Sequence, residues 1–197
     1  MGKFDKREFR YSFNERSVEM AKKIFPLSKA YGLLETGPVV MMTTAHRGKA
    51  NIMAQSWHTM MEFVPPLVGC VISGRNHSFD ALVATKECVL NIPSVELAKQ
   101  VVGVGNCSGS KVDKFSKFKL TAMPAAEVAV PLIDECFANL ECRVVDARMV
   151  NKYNFFVLEV VKAWIDPARK NSRTLHHQGR GVFMVAGDTI KLPSRMA

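Results

Sequence analysis

The chain has 197 residues, 48% of them hydrophobic, and its 27 Lys and Arg against 18 Asp and Glu give a formal charge of +9. That composition excludes a disordered tail, and the length suits one well-packed domain better than two. No apolar run reaches the roughly 18 residues of a membrane span, and the opening MGKFDKREFRYSFNER is charged where a signal peptide needs an apolar core. The expectation is a soluble, cytoplasmic protein with no membrane partner. Cys70, Cys88, Cys107, Cys136 and Cys142 form no CxxC pair, and most sit in apolar runs as reduced core residues do.

The positive surplus lies at the ends. Residues 1–23 carry a net +3 and residues 167–197 a net +5, which leaves +1 between them. A nucleic-acid binder needs a basic patch interleaved with aromatics, and the apolar centre has none, so small anions are the expected ligands and nucleic acid is not.

In chain order, residues 14–24 space Val18, Ala21 and Ile24 as one face of a short amphipathic helix that Pro26 ends. Residues 1–29 are expected to form an N-terminal extension, 30–190 the domain and 191–197 a tail. Residues 39–46 and 50–57 read as two strands of a hairpin turning at Gly48, and residues 67–73 as a third strand after Pro65 and Pro66. A helix is expected over 78–86, with Asn76 or Ser78 as its cap and Phe79, Leu82 and Val83 on one face. A strand follows in ECVLNI, then a helix from Ser94 to about residue 105 and a polar loop over 105–119. After Pro131 the pattern is all strand: 139–150, then 153–166 as a hairpin across Asn151 and Lys152, then VFMVAGDTIKL turning at Gly187-Asp188. Strands with two short helices and no βαβα alternation fit a small closed barrel.

Absences prune the chemistry. There is no GxxxxGK[ST] loop, no GxGxxG between strand and helix, and no GxSxG elbow. Gly103-Val104-Gly105 follows a helix instead of preceding one. His176 and His177, adjacent in a strand, point to opposite sides with no flanking ligand cluster, so no metal site is expected. Cys107 reads as a loop thiol.

Three polar segments each lie just beyond a predicted strand. Ser73 to Ser78 offers hydroxyls, backbone N–H groups and the Arg75 guanidinium to one anion, or else is an ordinary capped turn. Alternation from Asn51 to Trp57 sets Asn51, Met53, Gln55 and Trp57 on one face and Ile52, Ala54 and Ser56 on the other, either toward a ligand or toward water or a dimer contact. Ser108 to Lys114 supplies hydroxyls and ammonium groups, or is a mobile surface loop.

These segments, with Pro65-Pro66, Asn91-Ile92-Pro93, Asp113-Lys114-Phe115 and the run from Pro131 to Cys136, resemble in their order the flavin reductase family. The branch they resemble is the flavoredoxin-like one of the FMN-binding split β-barrel proteins. The resemblance implies a mainly β Greek-key split barrel with short helices, a homodimer, and noncovalent FMN. It places Asn51, Met53, Ala54, Gln55, Ser56 and Trp57 along the flavin ring and Ser73, Arg75 and Ser78 at the phosphate, with Asn76 among the cofactor-binding residues. Asn91, Ser108 and Lys114 complete the pocket, with Lys114 a candidate charge near the ring. His176, His177 and Arg180 fall on the NAD(P)H side. Hydride transfer to flavin needs no protein nucleophile, so no catalytic residue is expected. The implied activity passes electrons from NAD(P)H through flavin to a flavin or redox-protein acceptor. The alternative is an FMN-bound electron carrier reduced by another redox protein.

Overall fold

A computed structural model describes residues 37–169 and 172–193. The helix expected over 14–24, the N-terminal extension and most of the tail lie outside the described residues.

Seven strands form one antiparallel sheet: β1 (Val40–His46), β2 (Lys49–Gln55), β3 (His58–Glu62), β4 (Leu67–Val71), β5 (Glu87–Ile92), β8 (Ala138–Asp146) and β9 (Phe155–Ile165). Their order is β2-β1-β5-β8-β9-β4-β3. Two-residue strands β6 (Ala122–Met123) and β7 (Leu132–Ile133) pair with each other, and β10 (Leu175–Gly179) pairs with β11 (Val182–Val185). The helices are α1 (His77–Thr85), α2 (Ala98–Gly105), α3 (Lys114–Phe118) and α4 (Val150–Tyr153).

Strands β2 and β3 stand at opposite ends of the sheet order, yet only two residues of chain separate them. The sheet therefore has to curl until its ends meet. At that meeting Val71 N donates to Trp57 O at 3.0 Å, and a ring nitrogen of His58 lies 2.7 Å from Pro38 O. Among the described residues no ladder joins β2 to β3, so the barrel is split there.

Alternation along the strands divides the core. Val40 and Met42 of β1 join Val68, Cys70, Cys88, Leu90, Cys142, Phe156 and Leu158 inside the barrel. Helix α1 plugs this core with buried Leu82 and with Phe79, whose ring meets Phe156 edge-on at 5.6 Å. The intervening residues Val39 and Met41 face outward with Ile52, and α2 covers them through Val101 and Val104. Strand β1 is thus buried on both faces, which its unbroken VVMM run reflects. The core cysteines are poor nucleophiles: burial first and then Cys142 push the Cys70 thiol up to about 12.

Several local expectations change. Strand β3 appears in HTMME after β2, where no strand is predicted. The link across Asn151 and Lys152 is the helical turn α4, ended by Asn154 with φ 55°. The last hairpin turns at Arg180 and Gly181, both with positive φ, whereas Gly187-Asp188 lies beyond its paired strands. Glycine relieves the strain of a left-handed turn, which explains why the turn settles on Gly181. The polar loop contains helix α3, capped by the Asp113 carboxylate accepting from Ser116 N at 3.3 Å.

Candidate functional site

The end of β2 carries the chain to the split in the barrel, and a groove opens there with two adjoining lobes. The first is a cavity of about 460 Å³ between residues 53–57, Val71 at the end of β4 and Ser73 beyond it, Val101, Val102 and Gly105 of α2, and His177, Gly181 and Phe183 of the β10–β11 hairpin. Its lining is mainly apolar. The second, of about 320 Å³, shares Met53, Ala54, Asn76, Gly105 and Asn106 with the first. It adds Asn51, Arg75, His77, Ser78, Cys107, Ser108 and Lys114. Among the described residues no Asp or Glu lines either lobe.

The turn from Ser73 into α1 builds one wall of the polar lobe. Asn76 N donates to Ser73 O at 2.9 Å and Arg75 N to Ser73 Oγ at 3.3 Å, which leaves the exposed Arg75 guanidinium at the start of a nine-residue helix. Backbone N–H groups and the helix dipole make such a start favourable to anions. Ser78, 1% exposed, accepts from Asn51 Nδ2 at 2.8 Å, so β2 and α1 are tied across the lobe.

Lys114 supplies the opposite wall. It is 5% exposed, and its Nζ donates to Ile52 O at 2.6 Å and to Val104 O at 2.7 Å. Val104 O belongs to the last turn of α2, where carbonyls lack intrahelical partners and a cation is favoured. Burial holds the ammonium below the ordinary lysine value, with neighbouring Cys107 opposing the shift. An ammonium has three donors, and these bonds account for two.

Two buried amide oxygens of lining residues have no partner among the described residues: Asn51 Oδ1 and Gln55 Oε1. Asn51 stands opposite Thr44 in the β1–β2 register, and Thr44 Oγ1 is likewise without a partner. Gly109 lies so close over Asn51 that an added Cβ would overlap the amide, with the His77 ring 2.9 Å away.

A model of the flavin reductase like domain matches residues 34–185, most of the chain. The chain belongs to the flavin reductase like family. A protein of Archaeoglobus fulgidus is 34% identical over 125 residues, 64% of this chain and 71% of its own length. The uncharacterized protein YddH of Escherichia coli K12 is 30% identical over 179 residues, 83% of this chain and 94% of its own. Among solved structures, an FMN-binding domain of a flavin reductases-like enzyme from Shewanella baltica matches with a TM-score of 0.76 at 24% identity, covering 86% of this chain and 96% of that one. Flavoredoxin of Desulfovibrio vulgaris matches at 0.72 and 18%, covering 79% and 90%. The fold is the mainly β split barrel of these flavin reductase like proteins.

Within that family frame, the expected site residues divide. Met53 to Trp57, Ser73 and Asn76 line the apolar lobe; Asn51, Arg75, Ser78, Ser108 and Lys114 line the polar one. Lys114 therefore stands with Arg75 and not on the apolar lining, where a charge beside a ring was expected. Asn91 lines neither lobe. It is fully buried, donating to Met41 O at 2.7 Å and accepting from Ile133 N at 2.9 Å and Asn139 Nδ2 at 2.8 Å, so its amide is spent in joining β1, β7 and β8. His177 reaches the apolar lobe and stacks obliquely at 5.1 Å on Phe183. His176 faces the other way and pairs with Thr174 at 3.0 Å, while Arg180 is exposed at the hairpin turn. Sequence reasoning missed the end of α2. Gly103-Val104-Gly105 lacks the order of a phosphate loop, yet Gly105 packs against Ala54 of β2, and Gly105, Asn106 and Cys107 line the polar lobe. No group of three or more His, Cys, Asp or Glu among the described residues is placed to hold a metal.

Proposed function

We propose that this protein is an FMN-binding oxidoreductase that passes electrons from NAD(P)H through flavin to an acceptor and works as a homodimer. The observation that carries the reading is the continuous groove, apolar at one end and cationic at the other, with no carboxylate on its lining. FMN has the matching chemistry, a flat apolar ring system and a phosphate dianion. The residues present also fit it at two atoms. Among the described residues, Asn51 Oδ1 and Gln55 Oε1 are buried acceptors without protein donors, and FMN carries an N–H on its ring and hydroxyls on its tail.

Arg75, Lys114, Ser78, Ser108 and the start of α1 would hold the phosphate, because each presents a donor or a positive charge to one small volume. Met53, Ala54, Val101, Val102 and Trp57 would enclose the ring and exclude water from it. The cofactor supplies the hydride chemistry when bound, so the protein needs no nucleophile. His177, Gly181 and Phe183 border the apolar lobe from the hairpin and would orient a nicotinamide. Arg180 at the same turn would meet an anionic part of the donor, and His176, turned toward Thr174, would position its neighbour.

The outer strand β3 supports the dimer. It is the sheet edge, and around it Trp57, Met60, Met61, Phe63 and Val64 are 48–88% exposed. Such a contiguous apolar edge is costly in water, and a second copy would cover it. Five free cysteines, four of them buried, suit a reducing compartment, and we place the protein in the cytoplasm. No helix among the described residues is long and apolar enough to cross a membrane.

An anaerobic visible spectrum of the protein with FMN, before and after NADH and then NADPH, tests the reading. Bleaching of the bound flavin band by either donor is the expected result. A bound flavin that neither donor bleaches would instead favour an electron carrier reduced by another redox protein.

A further inference from the structure

We infer that His58 is a positioning residue of the apolar lobe: its imidazole N–H, bonded to Pro38 O, fixes the spacing of the two backbone segments that wall the lobe at Val39 and Trp57. The inference rests on the flavin reading above and goes beyond it by naming what holds the ring's end of the groove to width. His58 itself lines neither lobe, so it acts through its neighbours.

The chain enters β1 through Gly37, Pro38 and Val39, and it crosses from β2 to β3 through Ser56 and Trp57. Val39 and Trp57 both line the apolar lobe, and each adjoins one of the bonded pair in sequence. Among the described residues no ladder joins β3 to β1 or β2, so the backbone bonds that space neighbouring strands elsewhere do not set the width of this seam. Nε2 of His58 lies 2.7 Å from Pro38 O, and a backbone carbonyl can only accept, so the ring nitrogen donates. Gly37 stands against the same ring, where an added Cβ would come within 3.4 Å of Cε1.

Both segments are anchored on their far sides. Trp57 O accepts from Val71 N at 3.0 Å and from Gln55 Nε2 at 2.6 Å. Val39 N donates to Leu175 O at 2.7 Å, at the foot of the hairpin that brings His177 and Phe183 to the lobe. Pro38 and Val39 thus link the Trp57 wall to the hairpin wall, and the His58 bond is the link on the Trp57 side. A cavity already held to the width of a flat ring binds it without further ordering, whereas a slackened one loses affinity to the ordering it then requires.

Titrations of FMN and of riboflavin against the full chain carrying His58→Leu, His58→Asn or His58→Gln test the assignment. The glutamine amide reaches about as far as Nε2 and keeps a donor for Pro38 O. The asparagine amide stops one methylene short, and leucine has no donor. His58→Leu and His58→Asn should each bind both flavins about five- to tenfold more weakly, the effect of one lost hydrogen bond, and His58→Gln should bind them within about twofold of the wild type. The ratio of FMN to riboflavin affinity should stay within about twofold of the wild-type ratio in all three, because the polar lobe keeps its donors. Circular dichroism checks that each variant is folded, and if His58→Leu is not, His58→Asn against His58→Gln decides. Wild-type affinities in the Leu and Asn variants, a loss that His58→Gln does not restore, or a loss confined to FMN would overturn the assignment while leaving flavin binding intact. A wild type that binds neither flavin would overturn the flavin reading with it.

Discussion

Lys114 Nζ and the Ile52 carbonyl oxygen are joined by a 2.6 Å hydrogen bond, which pins a buried cation beneath the edge strand of the barrel. The same ammonium holds Val104 O at 2.7 Å, so β2, α2 and α3 converge on one charge. With no carboxylate on the groove, that charge is available to an anionic ligand. Lys114→Met should weaken FMN binding by about tenfold or more, as expected when a charge-assisted hydrogen bond is lost. Riboflavin, which lacks the phosphate, should bind the variant about as well as the wild type. Paired titrations check this, and equal losses for both ligands would make Lys114 a purely structural residue.

Gly109 meets Asn51 too closely for any side chain. A methyl there would overlap the Asn51 amide and crowd His77. Gly109→Ala should therefore push the 105–113 loop off β2, with FMN affinity falling about tenfold and stability by about 1–3 kcal/mol as for other overpacked sites. Gly187→Ala, where an added methyl meets nothing, is the control. Titration and thermal melts of both proteins check the pair.

Glu141 makes stability depend on acid. Its side chain is fully buried and accepts from the backbone N–H groups of Ala126, Glu127 and Val128 at 2.6–3.2 Å and from Trp164 Nε1 at 2.7 Å. Burial alone would push the carboxyl up, but these donors together hold it below the ordinary glutamate value of 4.5. A lowered carboxylate pKa stabilises the fold above the unfolded value, and this contribution is lost as pH falls through the lower folded one. Glu141→Gln should be less stable than the wild type by about 2–3 kcal/mol at neutral pH, with the gap closing as pH drops below 4.5. Denaturant melts at several pH values check it, and a gap independent of pH would contradict it.

The exposed edge makes a prediction about assembly. Met60→Glu with Phe63→Glu places charge on side chains that are 57% and 80% exposed around β3. The wild type should sediment as twice 21.9 kDa and the double variant as a monomer. A wild-type monomer would remove the homodimer from the account.

The strands that build the barrel were legible because both faces of β1 and the inner faces of β4, β5, β8 and β9 are apolar, so periodicity reports their burial. Strand β3 was not, because His58 to Glu62 has nearly every side chain toward water and carries no buried face for a pattern to mark. The turn that precedes α1 marks Arg75 and Ser78 as polar groups held together, and both line the polar lobe. Asn91 could not be told from a ligand residue, since an amide that ties three strands together looks the same in sequence as one that faces a pocket. Lys114 shows the reverse difficulty. Among the lysines of a polar loop, only tertiary contacts with Ile52 and Val104 single it out. The end of α2 is not legible because its glycines serve packing, Gly103 beneath Phe118 of α3 and Gly105 against Ala54 of β2, a role without a motif.

The proposed groove would take an apolar ring at one end and a phosphate at the other. Parallel titrations of the wild-type protein with FMN and riboflavin, in a buffer free of phosphate, test it most directly. FMN should bind at least about tenfold more tightly, and its advantage should shrink as salt screens Arg75 and Lys114. Equal affinity for the two flavins, or an advantage untouched by salt, would contradict the account.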